Sequence, residues 1–307
     1  MSLAGWSIGT LLICVSCELT RVNFGVDRDR VVATVRPELV SFTLDWHNTS
    51  VEDWEGMSVL ALDLQDIRLR TYVRHLSPAF LRIGGSDGDN AVYDIPGETQ
   101  PSHGCPGMFC ISFARWKEIL KFCDDLGCKV VFGLNALYGR GIDRKHVNRR
   151  KHWDASNTEA LLRQTSKLKD LRHVVWGWEL GNELEHTISA KGLGSQYLKL
   201  KMMIDTYWND VPEDQRPRII GPDMNPSLKF VPQFTSVAKG ALQIFSYHQY
   251  TGDGADKHLR EKILTSEFLD TAAQTADAMS KAASGLDLEL WIGETAAAWR
   301  SGQDQVT

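Results

Sequence analysis

Long apolar runs, a strong charge imbalance and a dense cysteine framework are all missing from this sequence. The longest apolar run, at residues 4–17, is shorter than the roughly 20 residues that a membrane-spanning helix needs. The net charge of −5 over 307 residues gives no indication of nucleic acid or an anionic membrane surface as a partner. With 43% hydrophobic and 24% charged residues, the chain is typical of a globular protein, and one large domain fits its length.

The apolar run at the amino terminus, AGWSIGTLLICVSC, is followed by the polar Glu18 and predicts a signal peptide over residues 1–17. A buried N-terminal element is the alternative, because no basic residue precedes the run. In a secreted chain, Asn48 of the Asn-Thr-Ser triplet would be a glycosylation acceptor, and Cys105 could form a disulfide with Cys110. We favour this bridge over a zinc site made of the two C-x4-C pairs, Cys105/Cys110 and Cys123/Cys128, and we predict no metal.

Short apolar segments alternate with helical patterns along the rest of the chain. Helical spacing recurs, for example at 157–168 and 259–283, and Ser112 is typical of a helix cap. Strands that alternate with helices form a parallel sheet covered by helices, so we predict an α/β fold closed as a (β/α)8 TIM barrel. This barrel would occupy 39–307, after an N-terminal segment at 18–38. The predicted barrel strands are 39–45, 80–85, 129–135, 174–180, 218–223, 244–250 and 288–293.

Two of these strands end in a glutamate. WELGNE ends one strand at Glu183, and WIGET places Glu294 at the end of the last strand. In a β/α barrel the active site lies at the carboxyl ends of the strands, so we predict that the two carboxylates meet there, although further β/α units separate their strands along the chain. Glycoside hydrolysis needs such a pair, because one carboxyl protonates the leaving oxygen while the other attacks the sugar or activates water.

Seven short motifs occur in the order in which one enzyme family carries them. They are SFTLD (41–45), LRIGG (81–85), FGLNAL (132–137), WELGNE (178–183), GPD (221–223), YHQY (247–250) and WIGET (291–295). On these motifs the chain after residue 30 resembles the glycoside hydrolases of family 79, the heparanase and β-glucuronidase type, in clan A. The resemblance implies a retaining hydrolase of β-glucuronide linkages in glycans or glycoconjugates. It also implies a secreted or lysosomal (vacuolar) protein that needs no cofactor.

By this resemblance Glu183 is the general acid/base and Glu294 is the nucleophile. Asn182 would bind the sugar 2-hydroxyl, while Asp45 and Tyr250 would lie in the substrate pocket. The physical chemistry supports a division of roles between the two glutamates. Carboxyl groups about 5–5.5 Å apart raise each other's proton affinity, so that one stays protonated while the other is ionised for attack.

Further polar residues lie at or near the strand ends. Asn135 ends the third barrel strand and is predicted to bind sugar hydroxyls. His248 is predicted as a substrate-binding residue, with a satisfied core histidine as the equal alternative. Glu179 lies deeper in its strand, where an unpaired charge is costly, so we predict a structural ion pair with Arg82. Glu185 is interpreted as a solvated loop charge.

Basic residues cluster in the loop that follows the third barrel strand. They could raise the local concentration of a polyanionic glycan, but we favour the interpretation as a solvated loop. The basic residues are Arg140, Arg144, Lys145, Arg149, Arg150 and Lys151.

The resemblance breaks at the carboxyl end, because only residues 295–307 follow Glu294. Members of the family continue into an eighth barrel strand and a β-sandwich, which a strand matching Val31–Val35 would join. We therefore expect unpaired edges on the first and seventh strands, and poor stability and weak activity for this chain. The alternatives are a non-catalytic glycan-binding relative and another clan A hydrolase, such as an arabinofuranosidase or a β-xylosidase.

Overall fold

The chain divides into two compact units, Met1–Leu39 and Val40–Thr307. In the first unit, strand β1 (Ser7–Val15) pairs antiparallel with strand β2 (Glu18–Val26). Strand β1 covers part of the predicted signal peptide, whose removal stays a prediction. The computed structural model describes residues 7–15, 18–31, 33–45, 58–98, 110–140, 148 and 151–300.

The β-branched segment Val31–Val35 is expected to lack the sheet that it would join in the family. Its described residues lie outside any strand, and Val31 and Val35 are exposed. β-Branched residues favour a strand only where a neighbouring strand and a packed face receive them. Among the described residues, no strand pairs with this segment.

The second unit is built on a seven-stranded sheet with the order β11-β10-β9-β8-β7-β4-β3, in which every neighbouring pair is parallel. Strands β5 and β6 form a separate small parallel sheet. The seven-stranded sheet confirms the predicted barrel strands. In the part of the chain that the structure describes, β3 and β11 are each paired on one side only, as predicted. The strands are β3 (Phe42–Asp45), β4 (Ala79–Gly84), β5 (Val92–Asp94), β6 (Cys110–Ser112), β7 (Cys128–Leu134), β8 (Val175–Leu180), β9 (Arg218–Met224), β10 (Ile244–Asp253) and β11 (Glu289–Trp299).

Helices connect the strands. Ser112 caps the second helix as predicted, because its side chain accepts a hydrogen bond from the Arg115 N–H at 3.1 Å. The predicted helix at 259–283 is divided in two, since Thr265 accepts a hydrogen bond from the Phe268 N–H and starts a new helix. The helices are α1 (Ile67–Leu76), α2 (Phe113–Leu126), α3 (Ser156–Ser166), α4 (Ala190–Tyr207), α5 (Phe230–Ala238), α6 (Leu259–Lys262) and α7 (Ser266–Ala283).

Aromatic side chains fill the layer between sheet and helices. Trp116 of α2, Phe132 of β7 and Trp178 of β8 are all fully buried. The Phe132 ring centroid lies 4.7 Å from that of Trp116 and 5.8 Å from that of Trp178, both in edge-to-face geometry. Because side chains alternate along a strand, Glu179 points to the other face, into the barrel. The packing of Trp178 therefore fixes the direction of the acidic side chain beside it.

Candidate active site

The two predicted catalytic glutamates lie at the carboxyl end of the sheet. The carboxylate oxygens of Glu183 and Glu294 come within 4.8 Å of one another. Strands β9 and β10 lie between β8 and β11 in the sheet, as the order of the predicted strands implies. The curvature of the sheet, which the sequence does not state, brings the two carboxylates together.

Glu183 has a left-handed backbone, with φ 53°. Its N–H donates a hydrogen bond of 2.7 Å to the carbonyl oxygen of Asp223, which has φ 50°. Non-glycine residues are uncommon in this region, and such strain persists where the surroundings fix it, often at functional sites. The side chain of Glu183 is 26% exposed, so it is accessible to a ligand.

Glu294 is aimed by a β-bulge. Along β10 and β11, Tyr247 pairs with Ile292 and His248 pairs with Glu294, so Gly293 is the extra residue. A Cβ atom on Gly293 would lie 2.8 Å from Asp223 Oδ1, closer than real Cβ contacts. The glycine before Glu294 thus leaves room for the Asp223 carboxylate.

Arg82 of β4 is the central cation of the site. Its guanidinium donates to Glu179 Oε2 at 2.9 Å, to Glu294 Oε2 at 2.9 Å and to Asn182 Oδ1 at 3.0 Å. The first contact confirms the predicted pairing of Arg82 with Glu179. Burial opposes the charged guanidinium, but Glu179, Asp223 and Glu294 outweigh it and raise the pKa of Arg82 above its ordinary value.

The two glycines of the LRIGG motif are explained by the side chains that lie next to them. A Cβ atom on Gly84 would lie 2.9 Å from Arg82 Cζ, so the missing side chain lets the guanidinium lie along its own strand. Asp45 ends β3 close to the next glycine, since a Cβ atom on Gly85 would lie 3.1 Å from Asp45 Cγ. Asp45 therefore borders the site, and its charge contributes to raising the pKa of Arg82. Its contact with a substrate stays a prediction.

Tyr250 holds the other oxygen of Glu294. Its hydroxyl donates a short hydrogen bond to Glu294 Oε1. Burial and the neighbouring Glu294 carboxylate raise the pKa of Tyr250 well above its ordinary value, so the phenol keeps its proton. Glu294 is thus held by Arg82 on one oxygen and by Tyr250 on the other.

His248 is fully buried between the two glutamates, which favours the alternative of a satisfied core histidine over a substrate contact. Its Nδ1 lies 3.0 Å from Glu183 Oε1 and 3.7 Å from Glu294 Oε2. Its Nε2 lies 3.7 Å from Asp223 Oδ1 and 3.4 Å from Arg82 Nη2. Burial favours the neutral imidazole, but Asp223 and Glu183 outweigh it and raise the pKa of His248 to about 9.

Two further carboxyl groups lie in the barrel interior. Glu179 is 1% exposed and Asp223 is fully buried. Burial raises the pKa of Glu179 to about 8, against the charge of Arg82. Burial also disfavours the Asp223 carboxylate, but His248 and Arg82 outweigh it and lower the pKa of Asp223. Glu179 is therefore protonated near neutral pH, and Asp223 carries the negative charge.

Asn182 is fixed from three directions. Its N–H donates to Asp89 Oδ1 at 2.9 Å, and its side-chain amide donates to Ser86 Oγ at 3.4 Å. Its Oδ1 accepts from Arg82, as described above. The loop at 86–90, a 3-10 helix, thereby positions the residue beside Glu183.

Two predicted roles need correction. Asn135 is fully buried, and its amide nitrogen donates to Ala91 O at 2.7 Å while its Oδ1 accepts from Thr158 Oγ1 at 2.5 Å. Asn135 therefore ties the loop after β7 to α3 and does not reach a ligand. The side chain of Glu185 is 1% exposed and accepts a hydrogen bond from Asn225, so it is not a solvated loop charge.

The structure describes only part of the predicted basic loop and of the cysteines. Arg140 is buried, and burial lowers its pKa, so it does not belong to a solvated basic loop, whereas Lys151 is exposed. Cys110 is disulfide-bonded, which agrees with the predicted bridge, while Cys123 and Cys128 are free and buried. Outside the described residues lie Asn48, Cys105, Arg144, Lys145, Arg149 and Arg150.

Among the described residues, one group of three could hold a metal ion: Glu183, His248 and Glu294. Arg82 already occupies an oxygen of Glu294 and lies 3.4 Å from the imidazole. A fixed positive charge at this distance opposes a divalent cation. The donor set therefore fits proton transfer better than metal binding.

Two site residues were missed by the sequence analysis. Arg82 was assigned only to Glu179, although it also contacts Glu294. Asp223 was noted only within the GPD motif, although its place at the end of β9 is the same signal that identified Glu183 and Glu294. The rule that functional residues follow barrel strands would have included it.

Among the described residues, no helix combines the length and the apolar character needed to cross a membrane. The chain is 30% identical over 298 residues to heparanase-like protein 3 of Arabidopsis thaliana, an alignment that covers 90% of this chain and 54% of that relative. It is 29% identical over 349 residues to the baicalin-beta-D-glucuronidase of Scutellaria baicalensis, an alignment that covers 98% of this chain and 64% of that relative. The chain thus spans less than two thirds of the length of these relatives.

Solved structures share the fold. A 4-O-alpha-L-rhamnosyl-beta-D-glucuronidase from Fusarium oxysporum 12S superimposes with a TM-score of 0.53 at 15% identity, covering 88% of this chain and 57% of that one. A GH51 arabinofuranosidase from Xanthomonas axonopodis pv. citri superimposes with a TM-score of 0.54 at 13% identity, covering 86% of this chain and 58% of that one. At these identities the likeness shows the fold alone.

A family model described as "Glycosyl hydrolase family 79, N-terminal domain" matches residues 21–307. This match covers nearly the whole chain and confirms the resemblance that the seven motifs indicated. The chain belongs to glycosyl hydrolase family 79.

Proposed function

We propose that this protein hydrolyses β-glucuronides with retention of configuration, using Glu294 as nucleophile and Glu183 as general acid/base. The observation that carries the proposal is the approach of their carboxylate oxygens to within 4.8 Å. Retaining glycosidases have carboxyl groups about 5–5.5 Å apart, whereas inverting enzymes need roughly 6.5–9.5 Å to admit a water molecule.

In the first step, Glu294 attacks the anomeric carbon, and the bond from that carbon to the leaving oxygen breaks. Arg82 and Tyr250 hold both oxygens of Glu294, which keeps the nucleophile oriented. Glu183 gives a proton to the leaving oxygen, and a glycosyl-enzyme remains. In the second step, Glu183 takes a proton from water, the water oxygen attacks the same carbon, and Glu294 is released.

The proton for the first step is held by a pair of side chains. His248 and Glu183 lie 3.0 Å apart, and the pKa of His248 is raised to about 9. Below that pH the pair holds a proton that either partner can carry, so the titration belongs to the pair. Transfer from His248 to Glu183 makes this proton available to the leaving oxygen.

The substrate class is supported by the relatives. Both are named for heparanase-like or glucuronidase activity. Asp45 and Asn182 flank the glutamates and offer oxygen and nitrogen atoms suited to sugar hydroxyls. A polyanionic glycan or a glucuronide is the proposed substrate. A secreted or lysosomal (vacuolar) location, with cleavage after residue 17 and a glycan on Asn48, completes the proposal and rests on the sequence alone.

The test compares aryl β-D-glucuronide with aryl α-L-arabinofuranoside and β-D-xyloside of the same leaving group. We expect turnover of the glucuronide, with Glu183→Gln and Glu294→Gln each losing at least about 10²-fold in kcat/KM. Glu185→Gln is the matched control, because this buried glutamate of the same loop contacts Asn225 rather than the catalytic pair. Preference for the arabinofuranoside or the xyloside would refute the substrate class.

The nucleophile can be identified separately. A 2-deoxy-2-fluoro-β-glucuronyl fluoride should form a stable ester with the nucleophile, because fluorine slows the second step more than the first. We expect the added mass on the peptide that contains Glu294. Labelling of another carboxylate, or no labelling of a protein that turns over the glucuronide, would contradict the assignment.

A further inference from the structure

We infer that Asp223 is a positioning residue for the acid/base, which it holds from two sides: its carbonyl anchors the backbone of Glu183 and its carboxylate orients His248. The kinetic part of this inference rests on the proposed function. The geometric part does not, because a titration of His248 tests it without turnover.

The backbone contact comes first. The Glu183 N–H donates to the Asp223 carbonyl at 2.7 Å, and both residues have left-handed backbones. A left-handed conformation is unfavourable for a residue with a side chain, because its Cβ atom comes too close to the following carbonyl oxygen. Two such residues joined by one hydrogen bond show that the loop after β8 is fixed against the end of β9. This contact sets the point from which the Glu183 side chain extends.

The side-chain contact runs through β10. Ser246 Oγ donates to Asp223 Oδ1 at 2.6 Å and accepts from the Asp223 N–H at 3.2 Å, so the serine fixes the aspartate. His248 follows two residues later on the same strand, and its Nε2 lies 3.7 Å from the same Oδ1. The other ring nitrogen lies 3.0 Å from Glu183 Oε1. Asp223, His248 and Glu183 thus form one chain of polar contacts.

Two bulges make this chain possible. Ser246 pairs with Pro222 and Tyr247 pairs with Met224, so Asp223 is an extra residue on β9. Gly293 is the matching extra residue on β11, and its missing side chain leaves the space in which the Asp223 carboxylate lies. Bulges beside active sites re-aim side chains, and here both neighbours of β10 carry one.

The charges around His248 explain why the carboxylate is needed. Arg82 Nη2 lies 3.4 Å from Nε2, and two like charges this close repel each other. Asp223 faces the same nitrogen and opposes this repulsion, so the ring keeps Nδ1–H directed at Glu183. Without the carboxylate, the ring would lose its proton or turn away from Arg82. A neutral ring could still donate from Nδ1 but would no longer hold the additional proton that the pair shares with Glu183, and a turned ring would lose the contact with Glu183.

The kinetic test uses Asp223→Asn and a series of aryl β-glucuronides that differ in leaving group. A phenol needs a proton from Glu183 when it leaves, whereas 2,4-dinitrophenolate does not. We expect kcat/KM to fall at least about 10²-fold for phenyl glucuronide and less than about 5-fold for the dinitrophenyl substrate. Glu185→Gln should affect all substrates equally. An equal loss across the series in Asp223→Asn would overturn the inference.

The second test needs no turnover. The ring nitrogens of His248 can be followed by NMR as the pH is raised, with His248→Gln to assign the signal. We expect the titration midpoint to fall by at least about one pH unit in Asp223→Asn and to stay unchanged in Glu185→Gln. An unchanged midpoint in Asp223→Asn would refute the role of Asp223.

This titration also separates the inference from the proposed function. If the wild-type protein turns over no glucuronide, the proposed function fails, yet the midpoint still decides the role of Asp223. Should Asp223→Asn fail to fold, Ser246→Ala removes one donor from Oδ1 and keeps the charge. We expect the titration midpoint of His248 to shift in Ser246→Ala by less than the shift expected for Asp223→Asn. No shift at all would count against the inference.

Discussion

Replacing Arg82 with methionine removes the buried cation that three polar groups of the site contact. Arg82 is 5% exposed and donates to Glu179, Glu294 and Asn182 at 2.9 to 3.0 Å. Removing one partner of a buried ion pair costs about 3–5 kcal/mol, because the remaining charge stays buried without compensation. We expect Arg82→Met to lower the free energy of unfolding by this amount.

Urea denaturation at pH 6 measures the change. With a slope of about 3 kcal/mol per molar urea, the midpoint should fall by roughly 1–1.7 M. The control is Arg68→Met, because the Arg68 side chain is 81% exposed although it pairs with Asp66 at 2.8 Å. We expect no measurable change of the midpoint for that variant.

A second substitution tests the cause. If the loss comes from the Glu294 carboxylate that Arg82 no longer compensates, then Arg82→Met combined with Glu294→Gln should recover about 1–2 kcal/mol of the unfolding free energy. A loss below about 1 kcal/mol in Arg82→Met would refute the reasoning. Strict additivity of the two substitutions would show that Arg82 and Glu294 are not coupled.

Three further predictions follow from the same site. Tyr250→Phe removes a donor from Glu294, so we expect kcat to fall about 10- to 100-fold while the melting temperature changes little; an unchanged kcat would contradict the contact. Glu179 has its pKa raised to about 8, so its contribution to stability is full below its ordinary pKa of 4.5 and is lost as the pH rises through 8. The unfolding free energy of the wild type should therefore fall between pH 5 and 8, and Glu179→Gln should flatten this fall; parallel curves would count against the shift. Gly293→Ala places a Cβ atom 2.8 Å from Asp223 Oδ1, so we expect a loss of about 1–3 kcal/mol in stability together with lower activity, and a variant as stable and active as wild type would refute the close contact.

The open sheet edges are the reason for the poor stability that the sequence predicts. β3 and β11 are each paired on one side only among the described residues. Unpaired edges favour association between chains. The expected poor stability and weak activity of this chain stay predictions, which a thermal melt and the glucuronide assay described above would decide.

Local patterns in the sequence determined the barrel strands, most of the helices and the two glutamates at the strand ends. Hydrophobic periodicity depends only on neighbours along the chain, so it can be read without a structure. The pairing of Arg82 with Glu179 could be predicted in the same way, because a charge deep inside a strand needs a partner. The family followed from motifs that are themselves strand ends.

Tertiary structure alone decided which polar groups reach the site. His248 and Asn135 occupy similar places near strand ends, yet both are buried, one between the glutamates and the other against α3. The positions of Asp223 and Gly293 depend on bulges of one residue, and a bulge is a property of the pairing between two strands rather than of either sequence. The sequence by itself thus determined where chemistry could lie along the chain, whereas the register between strands decided which side chains meet.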